Sequence, residues 1–194
     1  MIETAHRVGL PTTATIMFGH VETPAHWATH MLAVRDLAAR TGMVREFVPL
    51  PFVHMEAPLA MKGRTRAGPS WREVRLMHAV ARLVLHPHVR NIQASWTKLG
   101  PKGAAACLDG GANDLGGTLM NESISRAAGS AHGEEFPPAA IEKLVLSLGR
   151  IPRARLTSYA DADPAKIALA KSAPPLSPVV QTKPKKIRQP ELQA

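Results

Sequence analysis

Residues 13–18, TATIMF, run directly into residues 19–24, GHVETP, and the reading of this stretch decides the fold. The first six are β-branched or apolar, as in a buried strand. The next six break that strand at Gly19 and open a helix, with Thr23 placed to cap it and Pro24 at its first position. Trp27, Met31, Val34 and Ala38 then recur at helical spacing, and Gly42 stops the helix. This is a βα unit.

Further units lie downstream. Residues 46–50 read as a second strand, in which Pro49 predicts a bulge or an early end. A long loop leads to Pro69, and Ser70-Trp71-Arg72-Glu73 forms a capping box. The helix it opens carries Val74, Met77, Ala81 and Val84 on one face and ends at Pro87. Residues 91–97, NIQASWT, predict a third strand, followed by a short helix from Pro101 to about Leu108 that Gly110-Gly111 breaks. Residues 113–119 predict a fourth, Gly-rich strand. A helical turn over 123–128 follows, and then a helix over 137–148 whose buried stripe is Ile141, Leu144, Val145 and Leu148. About four βα units in a row predict parallel strands and an α/β fold.

Composition narrows the choices. The 194 residues suffice for one core, whereas a complete eight-stranded β/α barrel takes roughly 250. Cys107 is the sole cysteine, which excludes an internal disulfide and any cysteine-based zinc or iron–sulfur site supplied wholly by this chain. It also fits a reducing compartment, read as the cytoplasm. With no run of about 18 apolar residues and no apolar segment near the N-terminus, the chain reads as neither membrane-spanning nor secreted. Of the net charge of +9, residues 164–194 carry six Lys/Arg against Glu191 alone, leaving 18 basic against 14 acidic residues, or +4, on the rest. That end is Pro-rich and lacks interleaved aromatics. It predicts a disordered basic tail over 161–194 behind a folded domain over 1–160, and no nucleic-acid partner.

In parallel α/β folds the chemistry gathers beyond the carboxyl ends of the strands. The residues there are His20 and Glu22, then His54 and Glu56, then Gln93, Trp96 and Lys98, and finally Asn121, Glu122 and Arg126. Ordinary loop polarity is the bland account of each. Lys98 and the Glu122/Arg126 pair, one helical turn apart, suit either a polar substrate or a surface ion pair. Gly116-Gly117 leaves room for a ligand or for a neighbouring backbone. His26 and His30 have the spacing of a metal pair but no third ligand, and solvent-facing histidines are the plainer reading. Residues 63–70, GRTRAGPS, begin like a phosphate loop but place Pro69 where the lysine belongs. Arg64 and Arg66 remain as anion contacts or as a solvated loop. Cys107, on the apolar side of a short helix, reads as a packed thiol and not a nucleophile.

Four segments, GLPTTATIMFGHVET, EFVPLPFVHMEAPL, NIQASWTKLG and NDLGGTLMNESISRAAG, occur in this order between about Thr4 and Arg153. Together they resemble the C-terminal half of a radical S-adenosylmethionine enzyme of the FO synthase family, specifically its tyrosine-acting part. Aminofutalosine synthase and dehypoxanthine futalosine cyclase look like relatives. The resemblance implies half of a (β/α) barrel, with a [4Fe-4S] cluster and S-adenosyl-L-methionine as cofactors. It implies L-tyrosine and 5-amino-6-(D-ribitylamino)uracil as substrates in deazaflavin coenzyme F420 biosynthesis, and an N-terminal half or second radical subunit as partner. The family's CxxxCxxC motif is absent, so the chain is expected to be a fragment inactive alone; the competing readings are a fragment of one of those menaquinone-pathway relatives and a non-catalytic remnant or binding module. By resemblance His20, Glu22, His54, Gln93, Trp96, Lys98, Glu122 and Arg126 bind substrates, and Gly116 and Gly117 approach the adenosyl group.

Overall fold

The computed structural model describes residues 1–119 and 122–175. Three parallel strands form its sheet in the order β1-β2-β3: β1 (Thr12–Phe18), β2 (Val44–Pro51) and β3 (Asn91–Ile92). The helices are α1 (Ile2–Arg7), α2 (Pro24–Thr41), α3 (Pro58–Met61), α4 (Trp71–Leu85), α5 (Trp96–Asp109), α6 (Ile124–Ala127), α7 (Pro138–Ser147) and α8 (Pro164–Ser172).

The helix ends follow from the capping residues. Gly42 adopts φ 64 as the left-handed cap of α2, where a side chain would be strained. His26 Nδ1 accepts the Thr23 N–H at 3.1 Å, so one member of the suspected metal pair is a capping residue. Ser70 and Glu73 close the predicted capping box on α4.

Alternate residues of β1 divide by face. Ala14, Ile16 and Phe18 are buried, Phe18 packing edge-on against Trp27 of α2 at 5.7 Å. Thr13, Thr15 and Met17 are exposed on the other face. One face of the sheet is therefore covered by helices, and the opposite face is bare along β1.

Pro49 neither bulges nor ends β2, which continues to Pro51. Successive residues of a strand aim their polar groups to opposite edges. The Phe47 carbonyl accepts from Gln93 on the β3 side, and the Phe52 N–H donates to Phe18 on the β1 side. Pro49 and Pro51 thus turn their missing N–H toward the β3 edge, and β3 pairs only with Glu46 and Phe47. The register shift lies earlier, between Thr12 and Thr13 of β1.

Two predicted strands are reduced. The third is confined to Asn91–Ile92, and Trp96 already begins α5, which kinks at Gly100-Pro101. The fourth survives as a single parallel bridge between Gln93 and Asp114. The Gly-rich run does not sustain a ladder, because glycine adds backbone entropy and no side chain to pack. Three strands, and not four, make up the described sheet. The stripe of α7 is half-buried against the core rather than buried. Within the expected tail, residues 164–172 are helical as α8, with Lys171 on Glu142 of α7 at 2.7 Å. Asp163 caps that helix, an N-cap signal that the Pro-rich composition further along obscures. The rest of the tail call, 176–194, lies outside the described residues.

Candidate substrate site at the strand ends

The carboxyl ends of β1 and β2 open into loops with side-chain-free contacts. A Cβ on Gly19 would sit 2.3 Å from Pro69, and one on Gly68 2.8 Å from the Phe52 carbonyl. These approaches draw the loop that enters α4 over the strand ends. Beyond them lies an open cleft of about 370 Å³, lined among others by Phe52, His54, Trp71, Lys98, Ser130 and His132.

Its far wall is the loop after α6. Ser130 Oγ donates to the Thr97 carbonyl at 2.8 Å, and Glu56 N–H donates to the Ala128 carbonyl at 2.9 Å. The His132 ring packs against Gly100, where a Cβ would come within 2.4 Å of Nε2. Only glycine permits that approach at φ 66.

Lys98 Nζ donates to Ser125 Oγ at 2.5 Å. Burial pushes its pKa down, and the Glu122 carboxylate opposes that shift. Glu122 in turn accepts the Ile124 and Ser125 N–H groups at 3.0–3.1 Å, fixing the turn that presents Ser125. Arg126 Nε donates to the Glu122 carbonyl at 3.0 Å and its guanidinium approaches Glu134 at 3.8 Å. Lys98, Glu122 and Arg126 are thus one cluster on this wall.

His20 and Glu22 form a second cluster. Burial by itself would raise the Glu22 carboxyl, but N–H groups of Gly19, Glu22, Trp27 and His20 hold it down at about 2. His20 pairs with this carboxylate, and its ring lies 5.5 Å from that of Phe52 on the cleft wall. His54 lines the cleft directly, and its imidazole has no hydrogen bond to another described residue.

Gln93, Trp96, Gly116 and Gly117 form a third group set apart from the cleft. Trp96 is 2% exposed, meets Phe136 edge-on at 5.4 Å and donates from Nε1 to the Gly117 carbonyl at 2.8 Å. Gly116 is close-packed, since a Cβ would meet Gln93 Oε1 at 2.6 Å, whereas Gly117 has open space there. Asn121 lies outside the described residues.

Sequence reasoning missed Ser125, Ser130 and His132. It also missed a polar network under the bare face of the sheet. Glu46 accepts from Thr13 Oγ1 at 2.8 Å, from Gln93 Nε2 at 3.0 Å and from the Tyr159 hydroxyl. Arg155 joins it, paired with both Glu46 and Asp114 and stacked 4.1 Å from the Tyr159 ring. The Gly129-Ser130 step was a usable signal for the first set; nothing local marks the second.

Cys107 is fully buried, and burial pushes its thiol up to about 12, as a packed thiol requires. Among the described residues no group of three His, Cys, Asp or Glu side chains is placed to hold a metal, and no helix is long and apolar enough to cross a membrane.

A parallel sheet with helices on one face, and beyond its carboxyl ends a mainly apolar cleft carrying a few polar side chains, defines the class: a β/α protein with parallel strands. Residues 40–167 match the model of the CofH/MqnC C-terminal region, and the chain belongs to that family. The matched region includes Arg155 and Tyr159. The chain is 50% identical over 160 residues to an FO synthase of Mycobacterium tuberculosis, covering 82% of this chain and 19% of that protein. It is 48% identical over 159 residues to an FO synthase of Streptomyces coelicolor, covering 82% and 18%. It is 47% identical over 167 residues to a 5-amino-6-(D-ribitylamino)uracil--L-tyrosine 4-hydroxyphenyl transferase of Methanopyrus kandleri, covering 86% and 44%. The chain therefore spans under half the length of these relatives.

Proposed function

We propose that this chain forms the substrate-holding half of a radical S-adenosylmethionine (β/α) barrel of the FO synthase type. The reaction is transfer of a tyrosine-derived 4-hydroxybenzyl group to 5-amino-6-(D-ribitylamino)uracil, on the route to coenzyme F420. The observation that supports this reading is the 47% identity, over 86% of the chain, to a protein named as a 5-amino-6-(D-ribitylamino)uracil--L-tyrosine 4-hydroxyphenyl transferase. The bare face of β1 and its unpaired outer edge among the described strands agree with a sheet that continues into a closed barrel.

The residues present do not fit an iron–sulfur cluster. Three thiolates are needed where this chain has one, and that one is buried and protonated. No step of the chemistry is assigned to a cluster on this chain; the cysteine-bearing portion belongs to another part of the enzyme.

What this chain supplies is binding. His54 and His132 line the cleft with their imidazoles, and Lys98, held by Ser125 beside Glu122, offers N–H donors to a carboxylate or carbonyl. Glu22 fixes His20 at the rim, and Arg126 steadies the Glu122 turn. Gln93 and Trp96, set apart from the cleft, bond to Glu46 and to the Gly117 carbonyl, and the open space at Gly117 suits close approach of the adenosyl group.

Co-expression with the cysteine-bearing half of the Methanopyrus relative, followed by a tyrosine-coupling assay, tests this reading. Product from the pair and none from either half is expected. A pair that assembles yet yields no product, where the intact relative does, overturns it.

A further inference from the structure

A second cleft, of about 230 Å³, opens at the other end of the sheet, beneath the amino ends of β2 and β3. Its lining includes Arg45, His88, Arg90, Asn91, Ser158 and Tyr159. None of these belongs to the substrate site described above.

The charge balance here is one-sided. Acidic groups in the neighbourhood are already engaged: Glu46 and Asp114 by Arg155, and Asp161 by Arg153. Asn91 spends its amide donating to the Arg45 carbonyl at 2.9 Å, and Tyr159 spends its hydroxyl on Glu46. Arg45 and Arg90 are exposed, and their guanidinium groups have no hydrogen bond or ion pair with another described residue. The same holds for the His88 ring and the Ser158 hydroxyl.

One opposing effect must be weighed. The carboxyl ends of α2 and α4 lie just upstream of Arg45 and Arg90, and each carries about half a negative charge that fades within a turn. Two full guanidinium charges exceed that, and the Gly42 N–H already satisfies the Ala38 carbonyl of α2.

We infer that this cleft is an oxyanion site that takes phosphate or a small phosphomonoester, gripped by the Arg45 and Arg90 forks with Ser158 Oγ as a further donor. Two guanidinium forks can each pair with two oxygens of one tetrahedral phosphate, and a dianion held by two cations gains more than a monoanionic carboxylate that one fork already satisfies. Lying opposite the strand ends where the chemistry gathers, the bound anion stabilises the fold and takes no part in the reaction. It ties the loop before β2, the loop before β3 and the 153–161 turn together.

The full 194-residue chain, titrated with inorganic phosphate, glycerol 3-phosphate and acetate by phosphorus NMR line broadening and thermal shift, decides the matter. Both phosphates are expected to raise the melting temperature and acetate is not. R45Q/R90Q is expected to weaken phosphate by about tenfold per guanidinium. S158E, which puts a carboxylate in the cleft without touching either arginine, is expected to abolish binding and guards against a misfolded double variant, with circular dichroism as the check. A preference for the ester over inorganic phosphate identifies an organic phosphate as the ligand. Acetate matching phosphate, or unchanged binding in R45Q/R90Q or S158E, overturns the inference.

Discussion

Two polar regions of this sheet, the network under its bare face and the rim at its carboxyl end, are built on opposite rules. Under the bare face the polar groups of Glu46, Asp114, Arg155 and Tyr159 satisfy one another, and Glu46 alone accepts from Thr13, Gln93, Arg155 and Tyr159. At the carboxyl end His54 engages no described partner and Lys98 is held by one hydroxyl. Groups that are mutually satisfied lock a fold, and groups left half-satisfied are available to a ligand. The difference separates what holds this chain together from what it offers to a substrate.

The largest effect is expected where the lock is densest. Arg155→Met leaves Asp114 and Glu46, 8% and 15% exposed, without their cation. Stranding buried carboxylates in this way costs about 3 kcal/mol, discounted for the partial exposure of Arg155 itself. Urea denaturation should show a matching fall in the midpoint. A shift below about 0.5 kcal/mol would mean the network is surface decoration.

Gly116→Ala probes the upper edge of the same network. The new methyl would meet Gln93 Oε1 at 2.6 Å at a residue with φ 74, so Gln93 must move and release Glu46. Strain and the lost hydrogen bond together cost about 2 kcal/mol. A melting temperature equal to wild type would show that the Gln93 carboxamide moves aside freely.

Much of this architecture could be read from the chain and some of it could not, for a physical reason. β1, α2 and α4 announce themselves through alternation, Gly42 and the Ser70/Glu73 box, all signals contained within a few residues. The third and fourth strands are shorter than the sequence predicts, because a short apolar run does not say whether its neighbour will pair for two residues or seven. The Glu46 network joins residues 109 and 113 positions apart, and a contact of that kind leaves no local pattern. The rim was legible as a set of positions after each strand. Its division into a His20/Glu22 cluster, a Lys98/Glu122/Arg126 cluster and a buried Gln93/Trp96 group came only with the fold.

Glu22 is the exception that sharpens the contrast, a rim residue satisfied like one in the network. Its carboxyl lies at about 2 in the folded chain against a reference of 4.5. A depressed folded value stabilises above the unfolded pKa and is lost as pH falls through the folded one. The contribution, on the order of 1–2 kcal/mol after allowance for partial exposure, is thus complete above about pH 4.5 and disappears toward pH 2. Stability of Glu22→Gln measured between these limits should vary less than wild type. Parallel curves would remove Glu22 as the source.

The smallest stability effect belongs to His54, and it carries the functional side of the contrast. The imidazole faces the cleft and bonds to no described residue, so His54→Ala removes no satisfied contact and should stay within about 0.5 kcal/mol of wild type. In the assembled enzyme the same change should lower the yield of the coupled product, because a ring nitrogen that orients a substrate is lost. The two readouts must diverge for the division between locked and available regions to stand. If stability falls with activity, His54 is part of the packing; if neither moves, the cleft binds its ligand without it, and Lys98 and His132 are left to hold the polar groups.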